Sequence, residues 1–249
     1  MAVYLFIDTS TRSGAVGLWR DGSMAGARYW HSPHNHTAEL MPAVDETMSK
    51  AGATPGDLDG VGVALGPGGF SALRAGLGVA KGLALALNIP VAGVSTLEAA
   101  AYPHQGEGAP LCSIVEAGRT LVAWAVFDTS PDLSKGVAPG GGWRRTHEDQ
   151  VSSIGEAIAA CGTDTVFVGE GAVAYVAMIK AAQSTAQIVD GGPEGRLNGL
   201  ALLAGMRLEA GDVDPAASLQ PRYARPPEIG KPKLPRAVPH GSEARRKRA

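Results

Sequence analysis

The 249-residue chain has only two cysteines, few aromatic side chains and little charge. Cys112 and Cys161 stand in no metal-binding or redox spacing, and their apolar surroundings favour buried free thiols in a reducing cytosol. No apolar run approaches the roughly 18 residues of a membrane span. No basic segment with a cleavage site precedes the strand-like residues 3–7, so no signal peptide is expected. These absences predict a cytoplasmic protein without a membrane partner.

Charge is distributed unevenly along the chain. Residues 226–249 contain seven Lys or Arg and two Glu, so their balance of +5 leaves −7 on the remaining residues, given a net charge of −2. The same segment has five prolines and almost no large apolar side chain, which predicts a disordered tail. Its positive charge could attract nucleic-acid phosphates. Alternatively, it only solubilises the chain or folds back on the acidic body.

The stretch from Val61 to Leu87 predicts a buried strand, a glycine turn and a helix. Residues 61–65 are apolar, the turn Gly66-Pro67-Gly68-Gly69 can continue neither element, and residues 71–87 repeat at helical spacing. Opposite the helix's large apolar arc lies a stripe of small residues: Ser71, Ala75, Gly78, Gly82 and Ala86. Each glycine costs the helix roughly 1 kcal/mol. The stripe therefore indicates close approach by another helix, from the same subunit or from a partner.

The remaining pattern alternates strands and helices and is repeated once. Strands are predicted at 3–8, 15–19, 25–30, 61–65, 89–94, 111–116, 121–127 and 166–168, and helices at 38–51, from 95, at 172–182 and at 197–210. An Asp21-Gly22 hairpin turn joins two of the strands, and Ser95 with Glu98 fits a capping box. One face of helix 38–51 carries Leu40, Met41, Val44, Met48 and Ala51. This alternation predicts an α/β fold.

Several motifs resemble one protein family. The run Gly66-Pro67-Gly68-Gly69-Phe70-Ser71-Ala72-Leu73-Arg74-Ala75-Gly76-Leu77 is similar to the GPGSFTGLRIG signature of the TsaB family, the accessory subunits of the bacterial tRNA threonylcarbamoyladenosine machinery. Further similar segments are 7–11, 36–42, 81–98, 168–172 and 219–225. The resemblance implies a duplicated fold of the actin, sugar kinase and Hsp70 (ASKHA) superfamily with two subdomains. These would be 1–108 and 109–225, the last helix packing back on the first subdomain, before the tail 226–249.

The chain also departs from the family pattern. Gly69 and Ser71-Ala72 replace the serine and threonine of the signature turn, so this turn has fewer side-chain hydroxyls. Glu116-Ala117-Gly118-Arg119 stands where the family often has Asp-Ala-Arg-Arg. A role that rests on the first of those arginines does not carry over.

Four residues are the candidates for nucleotide binding: Asp8, Thr9, Gly68 and Gly69. Asp8 lies where related ATPases have an Asp-x-Gly phosphate turn, but Ser10 replaces the glycine. Asx- and ST-type bonds within the turn are therefore favoured over phosphate binding. The glycine turn lacks the Lys and Ser/Thr of a Walker loop. No cofactor is expected.

The sequence shows no complete catalytic or metal site. His31, His34 and His36 suggest a metal site, but Leu40 breaks the His-x-x-x-His spacing that the family's catalytic relative TsaD has. We expect these histidines to be exposed or to cap a helix. No Ser-His-Asp, Cys-His or paired-carboxylate arrangement stands out. A metallopeptidase would need a metal or nucleophile that the sequence does not offer.

The resemblance thus implies a non-catalytic subunit that forms a heterodimer with a TsaD-like catalytic subunit. The complex would act on the adenosine next to the anticodon, reaching tRNA indirectly and a TsaE-like ATPase through the complex, and a homodimer is a further option. The predicted partner interface is Leu40, Met41, Val44, Met48, Ser71, Ala75, Gly78, Gly82 and Ala86. The alternative is a stand-alone ATP-dependent small-molecule kinase of the same superfamily.

Overall fold

The structure, a computed structural model, describes residues 2–32, 36–106, 108–118, 120–128 and 142–224. The predictions for His34, Arg119 and the tail 226–249 lie outside these residues.

The first half is a five-stranded sheet with three helices. Its elements are β1 (Val3–Asp8), β2 (Ser13–Arg20), β3 (Ser23–His31), α1 (His36–Lys50), β4 (Gly60–Gly66), α2 (Phe70–Leu87), β5 (Val91–Ser95) and α3 (Thr96–Ala101). The strand order is β3-β2-β1-β4-β5, with β1, β4 and β5 parallel and β2 and β3 antiparallel to their neighbours. The Asp21-Gly22 turn has positive φ at both residues, as its hairpin role requires.

The second half repeats this arrangement. Its elements are β6 (Leu111–Glu116), β7 (Val122–Asp128), β8 (Arg144–Ser152), α4 (Ile154–Ala159), β9 (Val166–Val168), α5 (Glu170–Ala174), α6 (Val176–Ala182), β10 (Gln187–Val189) and α7 (Gly192–Glu209). The order β8-β7-β6-β9-β10 is that of the first sheet, with the same parallel and antiparallel pairs. The two halves are thus a structural duplication.

The first sheet is buried on both faces. On one face, the side chains of α1 and α2 pack against alternate residues of β1 and β4, including Leu5, Ile7 and Val63. On the other face, Leu197, Leu200 and further residues of α7 pack against Phe6 and its neighbours. Both faces are apolar because helices cover both of them, which explains why β1 and β4 are buried over their full length.

The two halves exchange their covering helices. Helix α7 belongs to the second half but covers the first sheet. Helix α3 belongs to the first half but packs against the second sheet through Leu97 and Ala101. The two helices cross so closely that a Cβ on Gly199 would overlap the carbonyl oxygen of Ala99. This glycine therefore sets the distance between the helices at the centre of the molecule.

Several element predictions were incomplete. The second half contains β8, α4 and β10, none of which the sequence pattern indicated, and the helix predicted at 172–182 is the pair α5 and α6. The last helix begins at Gly192, five residues earlier than expected. The capping box predicted at Ser95 is wrong, because its hydroxyl makes no cap bond and Glu98 accepts from Trp143 Nε1 at 3.1 Å. A capping box forms at Ser153 and Glu156 instead.

Helix α2 is apolar and yet largely uncovered. It spans 18 residues with a mean hydropathy of 1.4, so it is long and apolar enough to cross a membrane. The sequence had led us to expect no apolar run of that length. Length and composition are weak evidence for a membrane span, since core helices of soluble proteins share them. Unlike such core helices, α2 has only 28% of its residues buried.

Candidate functional site

The turn after β1 satisfies its own polar groups. The backbone N–H and the hydroxyl of Ser10 donate to Asp8 Oδ1 at 2.8 and 2.6 Å, and the Thr9 hydroxyl donates to the carbonyl of Ala72 at 2.6 Å. These are the Asx-type and hydroxyl bonds that the sequence favoured. They leave one oxygen of the buried Asp8 carboxylate to be paired elsewhere.

Arg196, near the start of α7, supplies that pairing. Its Nε forms an ion pair with Asp8 Oδ2, and its NH1 lies 3.2 Å from Glu170 Oε1. Its NH2 donates to Thr11 Oγ1 at 3.0 Å and to the Ser13 carbonyl at 2.8 Å. The arginine side chain is 3% exposed and that of Asp8 is 0% exposed. Burial alone would lower the pKa of Arg196, but the two carboxylates outweigh it and raise that pKa.

This ion pair bears directly on nucleotide chemistry. A metal ion acting through Asp8 would have to displace the guanidinium and leave it buried without its partner. Arg196 also joins α7 to Glu170, the first residue of α5, so it connects the two halves across the cleft. Sequence analysis missed Arg196 because the predicted last helix began one residue after it. A single arginine before a run of apolar residues was the available signal.

The other two nucleotide candidates contact the chain's own turn. Gly69 N–H donates to the Ser10 carbonyl at 2.9 Å, and a Cβ on Gly68 would overlap the same oxygen. Close approach of two backbones thus explains Gly68 without a phosphate. The structure brings Asp8, Thr9, Gly68 and Gly69 together, but their polar contacts are with the protein itself.

A cavity of about 590 Å³ lies between the halves. Its lining includes Ser10–Ser13 and His36 from the first half and Glu116 and Glu170 from the second. His36, which was expected to be exposed or to cap a helix, is buried at the first residue of α1, and its Nδ1 accepts from Trp30 Nε1 at 3.2 Å. Burial lowers the His36 pKa and keeps the ring neutral. Among the described residues, no group of three or more His, Cys, Asp or Glu could hold a metal ion.

The predicted interface residues of α1 divide into buried and exposed ones. Leu40, Val44 and Met48 are buried in the chain's own core, where they pack beside the first sheet. Met41 lies on the opposite side and is 50% exposed. Three of the four α1 positions are therefore core residues, and the surface that α1 offers is centred on Met41 and Pro42.

The small-residue stripe of α2 faces outward. Ser71, Gly78, Gly82 and Ala86 are exposed and Ala75 is half-buried. A Cβ added at Gly78 or Gly82 would meet no atom of the described chain within 4 Å. Close packing within the described part of the subunit thus does not account for these two glycines.

The closing segment 214–223 fixes one side of α2. Lys81 Nζ donates to the carbonyls of Ala217 and Leu219 at 3.1 Å each. At the first turn, the Phe70 and Tyr223 rings stack at 4.8 Å, and the Arg74 guanidinium lies 4.0 Å above the Phe70 ring. The segment 214–223 therefore holds α2 in place, and the exposed stripe lies on this fixed helix.

Several known proteins resemble this chain in sequence. The family model of TsaD, tRNA N6-adenosine threonylcarbamoyltransferase, matches residues 31–138. The tRNA threonylcarbamoyladenosine biosynthesis protein TsaB of Escherichia coli is 39% identical over 37% of this chain and 40% of its own length. That of Bacillus subtilis is 31% identical over 54% and 59%, and that of Haemophilus influenzae 29% over 69% and 73%. The matches thus span about half the length of the first two relatives.

Solved structures resemble the chain over nearly its whole length. A protein from Pseudomonas aeruginosa, described as having similarity to peptidase YEAZ, has a TM-score of 0.69 at 26% identity, covering 90% of this chain and 100% of its own. YeaZ from the same organism has a TM-score of 0.70 at 24%, with the same coverage. Component A of (R)-2-hydroxyglutaryl-CoA dehydratase from Acidaminococcus fermentans shares the fold, with a TM-score of 0.51 over 84% of this chain and all of its own length.

The duplicated sheets, the cleft between them and these structural matches identify a two-subdomain α/β fold of the ASKHA type. The predicted fold class is confirmed. Taken together, the sequence matches and the structural matches over nearly its full length make the chain similar to the TsaB proteins.

Proposed function

We propose that this chain is the accessory subunit of a tRNA threonylcarbamoyladenosine-forming complex and binds a TsaD-like catalytic subunit. Similarity to the curated relatives supports this function, because these relatives carry the name of tRNA threonylcarbamoyladenosine biosynthesis proteins. In this proposal the protein works in the cytoplasm and reaches tRNA, and a TsaE-like ATPase, through the complex rather than alone.

The outward face of α2 is the observation that carries the proposed partner contact. Two glycines, Gly78 and Gly82, lie open on the surface, and Leu85 beside them is 63% exposed. Exposed glycines weaken a helix, and an exposed large apolar residue loses the gain from burial. A partner helix that lies against this stripe, with Met41 of α1 at its margin, would offset both costs.

The buried Arg196–Asp8 pair supports a subunit that does not use nucleotides. Asp8, the residue on which the alternative of a stand-alone kinase depends, already has a guanidinium as its counter-ion. The curated relatives give that alternative no support either. We therefore propose a scaffold or activator role, with the transfer chemistry left to the partner.

The proposal is tested by blocking the stripe without disturbing the fold. The Gly82→Gln side chain enters open space in this chain but would occupy the path of a partner helix. We expect affinity for the TsaD-like partner of the same organism, measured by titration calorimetry, to fall about tenfold or more, since overpacking an interface costs about 1–3 kcal/mol. The isolated variant should be as stable as the parent or more so, because glutamine favours helix.

Gly155→Gln is the matched control, since Gly155 is an exposed glycine of α4 in the other half. It should leave partner affinity unchanged. A folded Gly82→Gln variant that binds the partner as tightly as the parent would remove this face from the interface. Sedimentation of the isolated chain shows whether a second copy uses the same face, in which case Gly82→Gln also shifts the chain to monomer.

A further inference from the structure

A second groove, of about 730 Å³, lies at the edge of the first sheet. It is lined by Val94 and Ser95 of β5, by Glu98 of α3 and by Leu203 and Met206 of α7, among other residues. Among the described residues, it shares no lining residue with the cleft between the halves. A cavity of this size has room for a drug-sized ligand or a short stretch of peptide. It is called the β5–α7 groove below.

The edge of β5 leads into this groove. The Val91 carbonyl accepts from the Asp214 N–H at 2.9 Å, and the Gly93 N–H donates to Asp214 Oδ2 at 2.7 Å. The Gly93 carbonyl accepts from Arg207 NH1 at 2.7 Å. Ser95 is only 2% exposed, yet its hydroxyl makes no hydrogen bond within the described part of the chain. A buried hydroxyl without a partner is costly, so an occupant that brings an acceptor oxygen is favoured.

The groove combines an apolar surface with an excess of negative charge. Met206 is 43% exposed, so it loses much of the gain from burial. Glu209 ends α7, where the free carbonyl groups of the helix end add negative potential. The charged side chains that line the groove are three carboxylates and two guanidinium groups, namely Glu98, Glu209, Asp212, Arg207 and Arg222. An occupant with apolar side chains and positive charge therefore fits best.

The closing segment 214–223 runs along this groove. Arg222 lines it, and the Arg222 N–H donates to the Leu65 carbonyl at 2.7 Å, which holds the segment there. The described chain ends two residues later at Ala224, which packs against the apolar cluster of α3 and the second sheet. Since Glu98 of the same α3 lines the groove, the residues that follow Ala224 start beside it.

The sequence after Ala224 has the composition that this groove favours. Residues 226–236 read Pro-Pro-Glu-Ile-Gly-Lys-Pro-Lys-Leu-Pro-Arg, so the apolar Ile229 and Leu234 flank Lys231 and Lys233. Prolines favour an extended backbone whose carbonyl oxygens make no internal hydrogen bonds and can accept from a hydroxyl. Such a backbone extends about 3.1 Å per residue, which is enough to bring Leu234 across a cavity that begins beside Ala224.

We propose that residues 226–236 dock into the β5–α7 groove of their own chain. Leu234 packs against Met206, and a backbone carbonyl of the segment accepts from the Ser95 hydroxyl. Lys231 and Lys233 lie on the acidic side, near Glu209. Because the segment is tethered beside the groove, its effective concentration is high and weak contacts suffice to hold it. This inference is independent of the proposed function, since it involves neither the α2 stripe nor a partner.

Limited digestion of the full-length protein with trypsin tests the docking. Trypsin cuts after Lys233, inside the segment, and after Arg245, beyond it. Mass spectrometry gives both cleavage rates in the protein and in a synthetic peptide of residues 225–249, and their ratio removes the sequence preference of the enzyme. Cleavage of a docked segment follows the population of its open form, so we expect roughly tenfold protection at Lys233 and none at Arg245.

Two variants address the two sides of the contact. Met206→Gln in the groove and Leu234→Asp in the segment should each bring the rate at Lys233 to that of the free peptide, which carries the same substitution in the second case. Met178→Gln is the matched control, because Met178 is 49% exposed on α6 of the other half. It should leave the protection unchanged. Melting temperatures close to that of the parent confirm that the variants are folded.

Three results would overturn the proposal. The first is a Lys233 bond that is cut as fast in the parent protein as in the peptide. The second is protection that persists in both Met206→Gln and Leu234→Asp. The third is protection that disappears when the protein is diluted, because the groove would then be filled by the segment of a second copy.

Discussion

At the scale of single residues, the Arg196–Asp8 pair is the most consequential interaction in the described chain. Taking two charges out of water is costly, so such a pair is not expected to be a net source of stability. Removing one partner is a different matter, since the remaining charge stays buried without a counter-ion. The pair therefore constrains the turn after β1 and the start of α7 together.

This distinction gives a stability prediction. Arg196→Met should lower the free energy of unfolding by about 3–5 kcal/mol, while Asp8→Asn combined with Arg196→Met should recover part of that loss. Urea unfolding of the parent, both single variants and the double variant measures the coupling. As a control, Arg28→Met breaks the exposed pair with Glu46 and should change stability little. Equal losses in Arg196→Met and the double variant would show that charge pairing is not the cause.

His36 provides a pH prediction. Its pKa is lowered by burial, an effect that the nearby Thr11 backbone and the Glu39 and Asp8 carboxylates offset only in part. An unfolded histidine titrates near 6.5. Between that value and the lower folded pKa the unfolded chain binds more protons, so stability falls as the pH falls below about 6.5.

The variant His36→Gln removes this titration and keeps an acceptor for the Trp30 indole. Between pH 7.5 and 5, the parent should lose more stability than the variant, measured as the difference between their urea midpoints. Curves that stay parallel over this range would mean that His36 is protonated as easily in the folded state as in the unfolded one.

At the scale of elements, α3 and α7 cross in close contact at Gly199. A methyl group at Gly199 would overlap the Ala99 carbonyl oxygen and come within 3.0 Å of Pro103 Cδ. Gly199→Ala should therefore destabilise the protein by about 1–3 kcal/mol, although alanine is the better helix former. Gly205→Ala in the same helix is the control, since its Cβ meets only Phe6 Cζ at 4.0 Å and should be neutral or stabilising. Thermal unfolding compares the two, and equal midpoints would refute the close crossing.

How well elements could be predicted depended on their surroundings. The buried strands of the first sheet were recognisable because helices cover both faces and the residues are uniformly apolar. Strand β8 was not, because its edge position allows charged side chains such as Arg144 and Asp149 throughout. The Ser-x-x-Glu pattern occurs at Ser95 and at Ser153, but only tertiary contacts decide which forms a capping box: at the first, Trp143 binds Glu98 instead.

The candidate site was only partly predictable for the same reason. The glycine turn and the small stripe of α2 are local patterns, and both lie where the sequence placed them. The Arg196–Asp8 pair joins residues from distant parts of the chain, and a single sequence contains no signal for such a pair. The same holds for Leu40, Val44 and Met48, whose apolar face could equally meet a partner or the chain's own sheet.

At the scale of the whole molecule, the exchange of α3 and α7 makes the halves interdependent. The second apolar face of the first sheet is covered mainly by α7, which follows the strands of the second half in the chain. The second sheet is covered on one side by α3, which precedes it. Neither half therefore has a complete core of its own.

This arrangement has a consequence for the order of synthesis. On the ribosome, the first sheet is complete once β5 has emerged, but Phe6 and its apolar neighbours stay exposed to water until α7 follows. The nascent chain thus passes through a long stage in which one apolar sheet face lacks most of its cover. The second sheet has no such delay, because α3 is synthesised before β6 and β7 and can cover them as they emerge. In the described part of the chain, the last helix to be synthesised thus covers the sheet that was completed first.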